Sequence, residues 1–97
     1  MQEYAFDTSK LIDVCRNNAV TSVGVFGSMA RGEATPQSDI DLLVEFGDRK
    51  SLLDVVRLTR ELSTALGRTV DLLTKDAISP YLRERILGEV QMIYDSR

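Results

Sequence analysis

Two aspartates one residue apart, Asp39 and Asp41, stand where an apolar run begins: Ser38-Asp39-Ile40-Asp41-Leu42-Leu43-Val44-Glu45-Phe46. Side chains alternate across a strand, so Ile40, Leu42, Val44 and Phe46 share one face and Asp39, Asp41, Leu43 and Glu45 share the other. Strand rise sets the two carboxylates about 7 Å apart at the backbone. Like charges held that close raise each other's pKa unless a cation lies between them, and hard ions such as Mg²⁺ prefer oxygen ligands of this kind. The same pair also occurs as no more than a solvated strand edge or a turn cap. A third carboxylate shifts the balance. Asp71 interrupts the apolar run Val70-Asp71-Leu72-Leu73, where an unpaired buried charge is costly. If the two runs are parallel neighbours, Asp39, Asp41 and Asp71 converge, enough for two divalent ions that clamp a phosphoryl reaction.

A glycine turn supplies a second half. Gly27 lets backbone approach a ligand closely, and Ser28 opens a helical turn whose free N–H groups suit an anion. The Ser28 hydroxyl and the Arg31 guanidinium, one turn on, can add contacts to phosphate oxygens. Gly-Ser alone is usually just a turn, and Arg31 is equally suited to ordering that turn by pairing with an acid or a carbonyl.

The elements that must position these groups read as α-β-turn-β-α-β-α. Leu11, Ile12, Cys15 and Ala19 recur at helical spacing, with Thr8 or Ser9 as cap. The run 22–27 reads as a strand ending at Gly27, followed by a helical turn over 28–31 and a polar loop. Residues 39–46 form the second strand. Ser51 opens a helix with the stripe Leu52, Val55, Leu58, Leu62 and Leu66, closed by Gly67. Residues 69–74 form a third strand. Ser79-Pro80 starts a helix through Leu87 with Gly88 behind it, and VQMIYD forms a last short strand. The helix between strands two and three favours a parallel crossover, whereas the short link between strands one and two leaves them free to run antiparallel. The expected fold is thus α/β (α+β), a small mixed sheet flanked by helices, in a single domain over residues 1–97.

Composition narrows the chemistry. The chain has 97 residues, a net charge of −3, one Cys and no His. A His-based triad or a His-containing zinc site is therefore excluded by inventory. The acidic balance argues against binding a phosphate backbone, so no direct nucleic-acid partner is expected. A lone Cys fits a reducing cytoplasm, and Cys15 reads as a small core residue on the first helix's apolar stripe. No apolar stretch approaches bilayer length, and the N-terminus lacks a secretion signal's layout, so neither membrane nor export is expected. Glu45 and Asp48 read as caps on the exit from the second strand, and Arg83-Glu84-Arg85 as a solvated helix face.

The combined pattern Gly27-Ser28-x-Ala30-Arg31-Gly32, then Ser38-Asp39-x-Asp41-Leu42-x-Val44, resembles the signature of the DNA polymerase β-like nucleotidyltransferase superfamily. It looks most like the minimal nucleotidyltransferases of bacteria and archaea, and the likeness covers nearly the whole chain. The resemblance implies that Asp39 and Asp41 hold two Mg²⁺ ions. Asp71 would complete the catalytic ion's shell and help deprotonate the acceptor hydroxyl. Gly27 and Ser28, with Arg31 and Ser38, would bind the nucleotide.

The implied reaction is attack of a hydroxyl on the α-phosphorus of ATP with loss of pyrophosphate. Larger relatives carry an extra acceptor-holding domain, so the acceptor site here is expected to be open or completed by another chain. Minimal members are commonly paired with a helical HEPN toxin, which the nucleotidyltransferase neutralises as antitoxin by transferring AMP to a tyrosine. Two alternatives stay open: an antitoxin that inhibits by binding alone, and transfer to a small-molecule hydroxyl with a separate substrate-binding subunit.

Overall fold

The computed structural model describes residues 4, 6–33, 35 and 37–96. Its elements in chain order are α1 (Thr8–Asn17), β1 (Val20–Phe26), α2 (Ser28–Arg31), β2 (Ile40–Phe46), α3 (Leu52–Leu66), β3 (Val70–Thr74), a 3₁₀ turn (Lys75–Ala77), α4 (Pro80–Glu89) and β4 (Gln91–Asp95). The sheet order is β3-β2-β1-β4. β1 pairs antiparallel with both β2 and β4, while β2 and β3 run parallel, so the sheet is mixed as expected.

The alternation in β2 divides the core. Ile40, Leu42 and Val44 join Leu11 and Cys15 of α1, Val23 and Val25 of β1, and Leu58 and Leu62 of α3 under one face. Leu43 points the other way and packs with Ile78 and Ile86, assisted by Phe26, Leu73 and Val90. α4 thus covers part of the second face, on which Asp41 alternates with Leu43. Fully burying each such aliphatic side chain contributes about 1.5–3 kcal/mol before conformational entropy is set against it.

Several boundaries differ from the sequence expectation. Asp7 caps α1 in place of Thr8 or Ser9, its carboxylate accepting from the Ser9 and Lys10 N–H groups. Ala19 lies beyond that helix with a φ of 62°, so it belongs to the turn into β1. α3 has the expected Ser51 cap, made reciprocal by Asp54, and ends at Gly67. Leu52, however, is 78% exposed, because the first turn of α3 projects past the core that receives Leu58 and Leu62. α4 runs through Gly88 to Glu89, and Val90 leads directly into β4. At the exit from β2, Glu45 pairs with Lys75 at 2.6 Å, and Asp48 pairs with Lys50 at 3.3 Å. Among the described residues no helix is long and apolar enough to cross a membrane.

Candidate functional site

β1 delivers the glycine turn to the carboxylates. Antiparallel register sets Phe26 opposite Asp41, so Gly27 arrives beside the start of β2. Gly27 has φ 73° and ψ −149°, a conformation essentially restricted to glycine. From there the chain closes one helical turn: Arg31 N–H donates to Gly27 O at 3.1 Å and Glu33 N–H to Ser28 O at 2.9 Å. Ser28 is half-buried at the head of this turn.

The parallel ladder aligns Asp41 with Asp71, and Asp39 precedes β2 by one residue. Asp39 and Asp71 are exposed and Asp41 is half-buried. Partial burial pushes the Asp41 carboxyl above its ordinary range, and the charges of Asp71 and then Asp39 add to that rise while Arg31 opposes it. Among the described residues no three such ligands are gathered closely enough to cage an ion. The donor set nevertheless fits Mg²⁺, which takes one or two carboxylates and fills its octahedron with water and substrate phosphate.

Two cations hold the surrounding loops. Arg31 Nε donates to Glu33 at 3.1 Å, and Nη1 donates to Glu89 at 3.2 Å. Glu89 Oε1 also accepts the Gly27 N–H at 3.1 Å. Burial opposes ionisation of Glu89, but the Gly27 N–H and Arg31 outweigh it and hold its carboxyl below the usual range. Arg68, just past α3, donates through Nη2 to the carbonyls of Thr35 and Ser38 and so ties down the loop before Asp39. Ile40 N–H, donating to Thr69 O at 2.9 Å, locks the same point.

The sequence expectation brought Gly27, Ser28, Arg31, Asp39, Asp41 and Asp71 to one end of the sheet, and the structure sets them there. Ser38 differs. Its hydroxyl accepts the Thr35 N–H at 2.8 Å and lies 3.2 Å from the Thr35 hydroxyl, so it shapes the loop. Sequence reasoning missed Glu89 and Arg68. Glu89 lies 62 residues from the amide it accepts, and its only local mark is a carboxylate just before a strand. A cleft of about 480 Å³ lies at the opposite end of β2 and β3, among Glu45, Lys50, Thr74 and Lys75. The carboxylates belong to the other end.

Residues 9–93 match the model of the nucleotidyltransferase domain family. The chain belongs to that family. A Methanocaldococcus jannaschii protein, provisionally named a protein adenylyltransferase, is 51% identical to this nucleotidyltransferase over 80 residues, 82% of this chain and 86% of that one. The protein adenylyltransferase MntA of Thermococcus cleftensis is 42% identical over 71 residues, 73% and 72% of the two chains. A crystal structure of a toxin–antitoxin with AMP-PNP superposes with a TM-score of 0.82 at 25% identity, covering 94% of this chain and 75% of that one. The resemblance read from the motif is borne out: this is a nucleotidyltransferase of the same kind as the MntA proteins, built on a mixed sheet flanked by helices.

Proposed function

We propose that this nucleotidyltransferase is an antitoxin that transfers AMP from ATP to a tyrosine hydroxyl of a helical HEPN toxin, with two Mg²⁺ ions at Asp39, Asp41 and Asp71. The single observation that carries it is the alignment of Asp41 with Asp71 across the β2–β3 ladder, with Gly27 against the same carboxylate. Support for a protein acceptor and a toxin partner comes from the MntA relative and from the toxin–antitoxin crystal structure with AMP-PNP.

The residues divide the task by position. Gly27 and Ser28 receive the triphosphate at the turn, while Arg31, held as a cation by Glu33 and Glu89, orders that turn and adds positive charge beside it. Asp39 and Asp41, with Asp71 completing one shell, would hold the ions, which when bound would neutralise charge developing in the reaction. Exposed Asp71 accepts the proton of the incoming tyrosine hydroxyl. The phenolic oxygen bonds to the α-phosphorus as the bond to pyrophosphate breaks. The open edge around Asp39 and Asp71 leaves room for a macromolecular acceptor.

Incubation with Mg²⁺ and ATP labelled at the α-phosphate, with and without the co-purified partner, tests this directly. Label on a partner tyrosine, absent with Asp39→Asn/Asp41→Asn, is the expected result. No transfer, with undiminished inhibition of the partner by the double variant, would overturn it in favour of inhibition by binding alone.

A further inference from the structure

Two side chains from one short segment grip the Gly27–Arg31 turn. Glu89 closes α4, and its Oε1 accepts the Gly27 N–H at 3.1 Å while Oε1 and Oε2 receive Arg31 Nη1 at 3.4 and 3.2 Å. Gln91 opens β4, and its Nε2 donates to Ala30 O at 3.1 Å. The Tyr4 hydroxyl donates to Gln91 Oε1 at 2.6 Å, which fixes the direction of that amide. Beginning, middle and cation of the turn are therefore each bonded to the α4–β4 junction.

The turn needs such anchors. α2 has four residues, a single turn, and a helical nucleus of that length does not sustain itself. The junction, by contrast, is firmly seated. Val90 packs into the second core, and a Cβ on Gly24 would stand only 2.7 Å from Val90 Cγ2 and 2.9 Å from Met92 Sδ, so β1 and the junction lie in direct contact. The Glu89 side chain is 20% exposed. It is held at once by the Gly27 N–H and the Arg31 guanidinium, so leaving the turn would cost both contacts.

We infer that Glu89 is a positioning residue for nucleotidyl transfer: through the Gly27 N–H and the Arg31 guanidinium it fixes the turn that receives the triphosphate. The inference rests on the proposed role of that turn. Gln91 is the second point of the same clamp, and neither residue touches the reacting atoms.

The test compares wild type with Glu89→Gln and Glu89→Ala, after thermal melts establish that each is folded. Glu89→Gln keeps an acceptor for the Gly27 N–H but loses the charge opposite Arg31, and it keeps the test alive if the alanine variant does not fold. Amide exchange at Gly27 and the Arg31 Nη–H resonances, followed by ¹⁵N NMR without nucleotide, read the strut itself, because Nη1 is the guanidinium nitrogen that meets Glu89. Calorimetric titration with Mg-ATP and transfer kinetics read its consequence. Glu89→Ala is expected to accelerate Gly27 exchange and to weaken Mg-ATP binding about tenfold, the loss of one charge-assisted hydrogen bond. The defect falls on KM more than on kcat, and Glu89→Gln recovers part of it. Wild-type binding of Mg-ATP with affinity unchanged or tighter in both variants overturns this inference alone. A wild type that binds no Mg-ATP overturns the proposed function and this inference with it.

Discussion

Gly27 leaves open the space that the Asp41 carboxylate fills: a Cβ at position 27 would overlap Asp41 Oδ2 and stand 3.1 Å from its Cγ. The backbone there is also in a conformation that side chains disfavour. One hydrogen-to-methyl change therefore attacks the turn and the carboxylate together. Gly27→Ala is expected to cost about 1–3 kcal/mol in backbone strain alone. That lowers the melting temperature by at least about 4 °C for a domain of this size. Transfer should fall below detection even where the variant is still folded, which a melt and a labelled-ATP assay on one preparation will check. Near wild-type transfer by Gly27→Ala would mean that Asp41 can move aside without loss.

Asp41 itself works against the stability of the metal-free protein. Its carboxyl is pushed above the ordinary range by burial, then by Asp71 and Asp39. The sign follows from linkage. A carboxyl whose folded pKa is raised is penalised when ionised, and protonation relieves the penalty as pH falls through that raised value. Without metal, Asp41→Asn should melt a few degrees above wild type near neutral pH, and the gap should close on acidification. Added Mg²⁺ should raise the wild-type melting temperature by more than the variant's, because the variant has lost one of the carboxylates that would bind the ion on folding. Melts in chelator and in Mg²⁺ across the acid range test both halves.

Much of this site was legible because it depends on short periods. The alternation in 40–46 separates Ile40, Leu42 and Val44 from Asp41 and Leu43, and a helix between two strands implies the parallel pairing that aligns Asp41 with Asp71. Periodicity does not say where the core ends, which is why Leu52 fits the α3 stripe yet projects into solvent. Nor does a glycine stop a helix unless the chain must turn there, and Gly88 continues α4 to Glu89 because β4 follows without a turn. Glu89 and Arg68 were hidden for a different reason. They act 62 and 30 residues away from the groups they hold, and nothing local in the sequence encodes contacts of that range.

Cys15 tests the packing of the larger core. It is fully buried between α1 and the sheet, and burial with the nearby Glu61 charge pushes its thiol up to about 12. The thiolate is the reactive form, so a disulfide reagent should leave native protein unmodified and titrate one thiol only after denaturation. Cys15→Ser places a hydroxyl in an apolar setting and should cost about 1–3 kcal/mol. Fast labelling of the native protein would show that α1 opens far more readily than its packing implies.

Asp71 separates chemistry from binding. It stands opposite Asp41 yet is exposed, so Asp71→Asn removes a charge without leaving a cavity or a buried orphan. The variant should fold and melt close to wild type. If Asp71 takes the proton from the acceptor hydroxyl, the amide cannot, and kcat should fall by about 10²-fold or more. Mg-ATP affinity should change far less, because Asp39, Asp41 and the Gly27–Arg31 turn stay in place. The decisive comparison is a single-turnover transfer rate against a nucleotide titration of the same variant. A large loss of affinity with an intact rate would reassign Asp71 from proton acceptor to nucleotide binding and leave the base to another group.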